Sequence, residues 1–210
     1  MNSTDQIRAA ELACRCVLRL GKASLPVDPY AMLRYSRGVY IFPVEEIPSN
    51  ISAIAQDALL PLQTGKVAAV SFMTDPEHCV ICYQPDVYPP RLRFSMAHEF
   101  GHIALRHTQT FAGHTRAEEK QADLFASCLL IPPPLLRILW QEHRDLYAEQ
   151  IAGIFGVSPL AASCASDNVL IPLHEETQRR IVDLLLDETR RRFPPRISSR
   201  WHPMPKPSLY

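Results

Sequence analysis

The feature that most constrains this chain is a pair of histidines four residues apart in RFSMAHEFGHIALRH, residues 93 to 107. His98 and His102 can reach a common point if this stretch is helical, because residues i and i+4 lie on one face of an α-helix. Glu99 directly follows His98 and lies beside the pair. This HExxH pattern predicts a helix whose two imidazoles bind one metal ion and whose carboxylate activates water.

A catalytic metal site of this kind needs a third protein ligand. The metzincin pattern is excluded, because Leu105 and Thr108 stand where that class requires glycine and histidine. His107 has the wrong helical offset to join the pair, and His114 falls in a predicted loop. All histidines other than the pair are therefore interpreted as ordinary surface or core residues: His78, His107, His114, His143, His174 and His202.

The next predicted helix offers the missing ligand in EEKQADLFASCLLIP. Glu119 and Asp123 share one face of that helix, so Glu119 could complete a His2Glu site that leaves a position open for water. Asp123, one turn further on, could accept the outer N–H of a ligand histidine and fix its orientation. Glu118 is the competing ligand, but it points about a quarter turn away from the face of Asp123.

The periodicity of apolar residues predicts an α+β fold that is mostly helical with a small antiparallel β-sheet. Two β-rich runs separated by Thr-Asp-Pro-Glu predict a hairpin over residues 67–73 and 78–83, and the second strand is expected to pair with an extended substrate if its edge is free. A short strand is predicted at 39–42, and residues 45–66 receive no assignment. Helices are predicted over residues 5–20, 29–37, 90–107, 116–130, 134–142, 146–155, 158–166 and 174–192.

Three regions follow from this pattern. Residues 1–142 are predicted to form the core that carries the metal site, and residues 143–193 a helical region packed on it. Residues 194–210 contain five prolines and little periodicity, which predicts an extended or mobile tail.

Charge and cysteine content restrict the partners and the compartment. Lys plus Arg and Asp plus Glu number 22 each, so no overall field would hold a polyanion or an anionic membrane. The chain shows no apolar run of membrane-spanning length and no secretory signal, and its six cysteines show no disulfide framework. Cys79 and Cys82 could form half of a zinc knuckle, but their apolar neighbours favour a strand. We therefore expect a cytoplasmic protein without membrane partners.

An alternative function is DNA binding by AEQIAGIFGVSPLAASCAS, residues 148–166, which has the pattern of a helix-turn-helix. Its second helix contains no Lys, Arg, Asn or Gln that could reach base edges or phosphates. Packing or substrate docking is therefore the favoured role of this unit, and nucleic acid is not the expected partner.

RFSMAHEFGH at residues 93–102 and EKQADLFASCLLIP at residues 119–132 resemble the signature of the ImmA/IrrE family of metallo-endopeptidases. Weaker similarity extends over about residues 5–170 and includes LPVDPYAMLRYSRGVYIFPV and VSPLAASCASDN. Asp123 stands where many relatives have asparagine, a difference that keeps a hydrogen-bond acceptor.

The resemblance implies a zincin-like, zinc-dependent peptidase in which His98, His102 and Glu119 bind the metal and Glu99 activates water. It also implies a substrate, since members of the family cleave a helix-turn-helix repressor and relieve repression in mobile-element or stress responses. A His2Glu site accepts manganese or iron as well, so the donor set alone does not select zinc.

Overall fold

The computed structural model describes residues 2–22, 24–107, 114–143 and 146–194. The helices in this part of the chain are α1 (Ser3–Leu20), α2 (Pro29–Arg34), α3 (Ser49–Ile54), α4 (Gln56–Gln63), α5 (Pro89–Leu105), α6 (Arg116–Leu130), α7 (Pro133–Glu142), α8 (Ala148–Phe155), α9 (Pro159–Ala165) and α10 (Glu175–Arg192). Short 3-10 turns occur at Val44–Glu46 and Ser166–Leu170. The region left unassigned from the sequence thus contains a 3-10 turn, α3 and α4.

The strands β1 (Val39–Pro43), β2 (Ala69–Asp75) and β3 (His78–Tyr83) form one sheet in the order β1-β3-β2. β2 and β3 form the predicted antiparallel hairpin, whereas β1 runs parallel to β3. The predicted mostly helical α+β class is confirmed, and its sheet is mixed rather than wholly antiparallel. The condition set for substrate pairing along β3, a free edge, is not met, because β3 is the central strand and β2 lies at the edge.

Cys79 and Cys82 lie in β3, as the strand interpretation predicted. Cys79 packs in a buried cluster with Leu33 and Met96, whereas Cys82 packs with Leu59 and Phe72 in another. Residues three apart in a strand point to opposite faces of the sheet, so these two thiols cannot bind one metal ion together.

The main core is built around α6. Phe125, Leu129 and Leu130 of this helix are fully buried, and they recur at the spacing that places apolar side chains on the inner faces of a helix. α6 packs against α1 and α5. Burying each such side chain contributes about 1.5–3 kcal/mol, which holds α6 firmly beside the helix that carries the two histidines.

Gly101 lets α5 and α6 approach closely. A Cβ atom at this position would lie 3.1 Å from Ala122 Cα and 3.1 Å from the Phe125 ring. These distances are shorter than the usual separation of about 3.5–4.0 Å between packed carbon atoms. The glycine inside the HExxH motif therefore sets the distance between the two helices that carry the candidate ligands.

The C-terminal helices pack on the same core. Ile151, Phe155 and Ile181 belong to the buried cluster that also contains Phe125. The buried carboxylate of Glu11 on α1 accepts hydrogen bonds from the Thr177 hydroxyl, at 2.5 Å, and from the backbone N–H at residue 174, at 3.2 Å. The predicted boundary between residues 142 and 143 remains a prediction, and the predicted tail lies outside the described residues from position 195 onward.

Within the described ranges, no single helix combines the length and apolar character needed to cross a bilayer. One bent pair, Arg116–Leu130 with Pro133–Glu142, meets at 53° and satisfies the criterion by length and composition only.

Candidate metal centre

α5 carries the two histidines of the motif. The helix begins with Pro89 and Pro90, whose fixed φ suits the first turn, and it continues without interruption to Leu105. His98 and His102 project from one face, with their Nε2 atoms 2.9 Å apart. The predicted helical pair is therefore present, and the nitrogens that would bind a metal point to a common position.

Glu119, in the first turn of α6, completes the group. Its Oε2 lies 3.3 Å from His98 Nε2, and its Oε1 lies 3.7 Å from His102 Nε2. One ligand atom from each of the three residues falls within 4.8 Å of the others. The structure thus brings together the three residues that the sequence indicated.

The competing carboxylate, Glu118, is engaged elsewhere. It forms a capping box with Thr115, whose backbone N–H donates to Glu118 Oε2 at 2.8 Å and whose hydroxyl accepts from the Glu118 N–H at 3.3 Å. A capping box satisfies backbone donors that have no partner within the helix. Glu118 therefore caps the helix while its neighbour Glu119 faces the histidines.

Asp123 holds His98 as expected. Its Oδ1 lies 2.9 Å from His98 Nδ1. Burial alone would lower the pKa of His98, but the hydrogen bond to Asp123 and the surrounding negative charges raise it. In the neutral ring, a proton donated from Nδ1 to Asp123 leaves the lone pair of Nε2 directed at the metal position.

His102 is held by a chain of two side chains that the sequence interpretation did not include. Its Nδ1 lies 3.0 Å from His107 Nδ1, and His107 Nε2 lies 3.1 Å from Gln121 Oε1. Because the amide oxygen only accepts, His107 carries its proton on Nε2 and accepts from His102 Nδ1. This direction leaves Nε2 of His102 free to bind a metal.

His114 also belongs to this site, contrary to its interpretation as an ordinary loop residue. Its ring stacks on His102 at 3.6 Å between centroids, with an angle of 11° between the planes. Burial and, secondarily, the neighbouring imidazoles lower the pKa of His102 to about 2. The ligand ring is thus neutral at physiological pH, the form that a metal requires.

The position of His107 follows from the way α5 ends. Arg106 adopts a left-handed conformation with φ 59°, and the N–H of residue 107 donates to the carbonyl of His102 at 2.9 Å. The chain reverses at this point, so His107 returns toward His102 instead of continuing around the helix. The interpretation of His107 as lying outside the site was wrong because it assumed a continuous helix.

Glu99 is buried, with 7% of its surface exposed. Its Oε2 accepts a hydrogen bond from the hydroxyl of Ser71 on β2 at 2.5 Å. Burial raises the pKa of Glu99, while the charge of His98 and the hydrogen bonds from Ser71 oppose that rise. A carboxylate with a raised pKa is a better proton acceptor at neutral pH than an exposed one. Ser71, 28 positions earlier in the chain, could not be linked to Glu99 by any local pattern.

These residues line a cleft of about 590 Å³. Edge strand β2 forms one wall from Ala69 to Met73, and the other wall is formed by the faces of α5 and α6 that carry His98 and Glu119. Asp57 and Lys66 lie elsewhere along the cleft lining. The cleft therefore exposes the candidate metal position beside a strand edge that could pair with an extended chain.

The donor set fits a metal ion. Two imidazole nitrogens and one carboxylate oxygen form the set that zinc takes in His2Glu catalytic sites, where a further position stays open. Both histidines have their outer nitrogens held by acceptors, which is the usual support of metal-binding imidazoles. Fold and site together define an HExxH metallopeptidase.

Comparison with known proteins agrees with this class. The family model described as Peptidase_M78, IrrE N-terminal-like domain, matches residues 56–164, which include the whole candidate centre from Ser71 to Asp123. The chain belongs to this family. No curated protein matches it.

Proposed function

We propose that this chain is a zinc-dependent endopeptidase that cuts one site in a helix-turn-helix repressor and so relieves repression in a mobile-element or stress response. The observation that carries the enzymatic part is the convergence of His98, His102 and Glu119 beside the buried Glu99. The repressor, the mobile-element or stress context and the cytoplasmic location rest on the sequence and its resemblance to the ImmA/IrrE family.

His98, His102 and Glu119 would hold the zinc ion. When bound, zinc supplies Lewis-acid chemistry, which acidifies a water molecule and polarises a peptide carbonyl. The two ligand histidines are kept in the correct tautomer by Asp123 and His107. The residues of this chain then perform the proton transfers.

Glu99 accepts the proton of the attacking water and passes it to the nitrogen of the departing chain. The Ser71 hydroxyl donates a hydrogen bond to Oε2 of Glu99, so Oε1 remains available to the water. A buried general base of this kind contributes about 10²–10⁴-fold to the rate. Ser71 keeps the carboxylate in place, because its hydroxyl anchors Glu99 to the sheet.

The substrate would lie along β2. An extended peptide can add to an exposed strand edge through backbone hydrogen bonds, and β2 is the edge strand that lines the cleft. Such binding would bring the peptide backbone into the cleft that β2 shares with the ligand histidines of α5.

Metal content per chain, measured by mass spectrometry on protein purified without chelators or a histidine tag, tests the metal site. We expect about one zinc per wild-type chain, a clear loss in Glu119→Ala, and retention in the matched control Glu118→Ala, because Glu118 caps the helix. Wild-type protein that holds no metal after zinc is added back would overturn the proposal.

Cleavage of the repressor encoded nearest to this gene tests the finer function. We expect two fragments with the wild type and none with Glu99→Gln, which should still bind zinc. Cleavage that persists in Glu99→Gln would remove Glu99 from the mechanism. An intact repressor with the zinc-loaded wild type would reject this substrate.

A further inference from the structure

A second cavity of about 780 Å³ lies between α5, α6 and the α9 region, and we call it the α9 groove. Four of its lining residues also line the active-site cleft: Arg91, Phe94, Ser95 and Asp123. The two cavities are therefore adjacent along the N-terminal half of α5. A chain bound in the cleft can extend along this part of α5 toward the α9 groove.

The groove lies within reach of a bound peptide. Arg91, Ser95 and His98 follow one another at the spacing of one helical face, and seven residues of helix span about 10 Å. An extended peptide covers about 3.3 Å per residue, so this distance corresponds to about three residues. A side chain three to five positions from the cleaved bond would reach the groove.

The groove lining combines apolar side chains with charges of both signs. Leu160 on α9 is 74% exposed, and the groove is also lined by Leu124 of α6 and by Ile171. Lys120 and Asp167 bring opposite charges. A lining of this composition suits an apolar side chain on a polypeptide, whereas a polyanion would require a basic surface.

α9 is also the second helix of the helix-turn-helix-like unit. Its sequence, PLAASCA, has no charged residue, and most of the Leu160 side chain is exposed to solvent. Leu160 shares the groove lining with Leu124 and Ile171, so these apolar side chains lie in one concave surface that a bound apolar side chain can cover.

We propose that the α9 groove binds an apolar side chain of the protein substrate, three to five residues from the cleaved bond, and that Leu160 determines this preference. The inference rests on the proposed peptidase function and adds to it a sequence requirement outside the metal centre. The helix-turn-helix-like unit then serves as part of the substrate-binding surface.

The test compares Leu160→Asp with Leu170→Asp. Leu170 is 87% exposed and does not line the groove, so Leu170→Asp is a matched control for replacing an exposed leucine by an acidic residue. Leu160 lies in the first turn of α9, where an aspartate is compatible with the helix. Zinc content and circular dichroism should match the wild type for both variants.

The probe is a peptide library prepared from a bacterial proteome, with cleavage sites identified by mass spectrometry. We expect wild type and Leu170→Asp to prefer an apolar residue three to five positions from the cut, on one side. Leu160→Asp should lose this preference and cut the preferred peptides at least about tenfold more slowly, since an apolar pocket contributes about 10–200-fold. Peptides too short to reach the groove should be cut equally by all three proteins.

An unchanged preference in Leu160→Asp would overturn the α9 groove assignment while leaving the peptidase function intact. If the zinc-loaded wild type cuts neither the library nor the repressor, the proposed function itself is contradicted; cleavage of the repressor without cleavage of any library peptide would overturn the α9 groove assignment alone. Two further measurements separate other occupants. A lower mass in solution for Leu160→Asp would identify the groove as a contact between two copies, and loss of binding to a DNA duplex would identify a nucleic-acid surface; either result overturns the proposal.

Discussion

Replacing Gly101 by alanine should weaken the metal site more than the fold. The added methyl carbon would lie 3.1 Å from Ala122 Cα, 3.1 Å from Phe125 Cδ1 and 3.2 Å from the Ala122 carbonyl oxygen. Ala122 contributes rigid backbone atoms, so α5 and α6 must separate by a few tenths of an ångström. Overpacking of this kind costs about 1–3 kcal/mol. Alanine restores about 1 kcal/mol through its higher helix propensity, so the net loss is about 0–2 kcal/mol.

The metal centre tolerates less movement than the core. The ligands are divided between the two helices, with His98 and His102 on α5 and Glu119 on α6. Metal–ligand distances are met within about 0.2 Å, so a shift of a few tenths of an ångström disturbs the coordination. We expect zinc affinity to fall about tenfold, comparable with the loss of a residue that supports a ligand.

Zinc affinity is measured by competition with a chromophoric chelator, and stability by urea unfolding of the metal-free protein. Gly153→Ala on α8 is the control, because nothing lies within 4 Å of its added Cβ. That variant should gain about 0.5–1 kcal/mol and bind zinc normally. Wild-type zinc affinity in Gly101→Ala would refute the argument that the glycine sets the ligand geometry.

Three further outcomes are expected. Gln121→Leu removes the acceptor that orients His107, so zinc affinity should fall about 10–100-fold in chelator competition, and an unchanged value would dismiss the hydrogen-bond chain. Glu99→Gln should stabilise the metal-free protein toward urea at neutral pH, because burial raises the pKa of Glu99 and its ionised form therefore costs stability as pH rises through that pKa. A stability difference that does not grow from pH 5 to pH 8 would contradict this. Glu11→Ala leaves the Thr177 hydroxyl without its acceptor and should cost about 1–3 kcal/mol in the same assay, with Asp5→Ala, in the partly exposed first turn of α1, as the baseline.

The parts of the fold that depend on local pattern could be predicted from the sequence. α6 (Arg116–Leu130) and the hairpin of β2 and β3 agree with the predicted elements, because helical periodicity and a short turn are both read over neighbouring residues. The parallel pairing of β1 with β3 was not predicted. It joins segments about forty residues apart, as in Val39 with Cys79, and no local signal specifies such a pairing.

The same distinction holds for the candidate site. The spacing of His98, His102, Glu119 and Asp123 placed all four on facing helices, since each pair is separated by one helical turn within its own helix. Ser71 reaches Glu99 only through the packing of β2 against α5, which no spacing reveals. The sequence indicated His107 only indirectly, because its position depends on the end of α5, where the chain turns back toward His102.

The bond between Glu11 and Thr177 has a consequence for how the protein is made. Its two partners are 166 positions apart, so it forms only after nearly the whole described chain has left the ribosome. α1 precedes α6 and α10 in the chain but packs on both, so its packing is completed only when both have been synthesised. The helices that carry the metal ligands therefore acquire their complete surroundings only after α10 has emerged, and until then the nascent chain lacks the finished core that holds a proteolytic centre together.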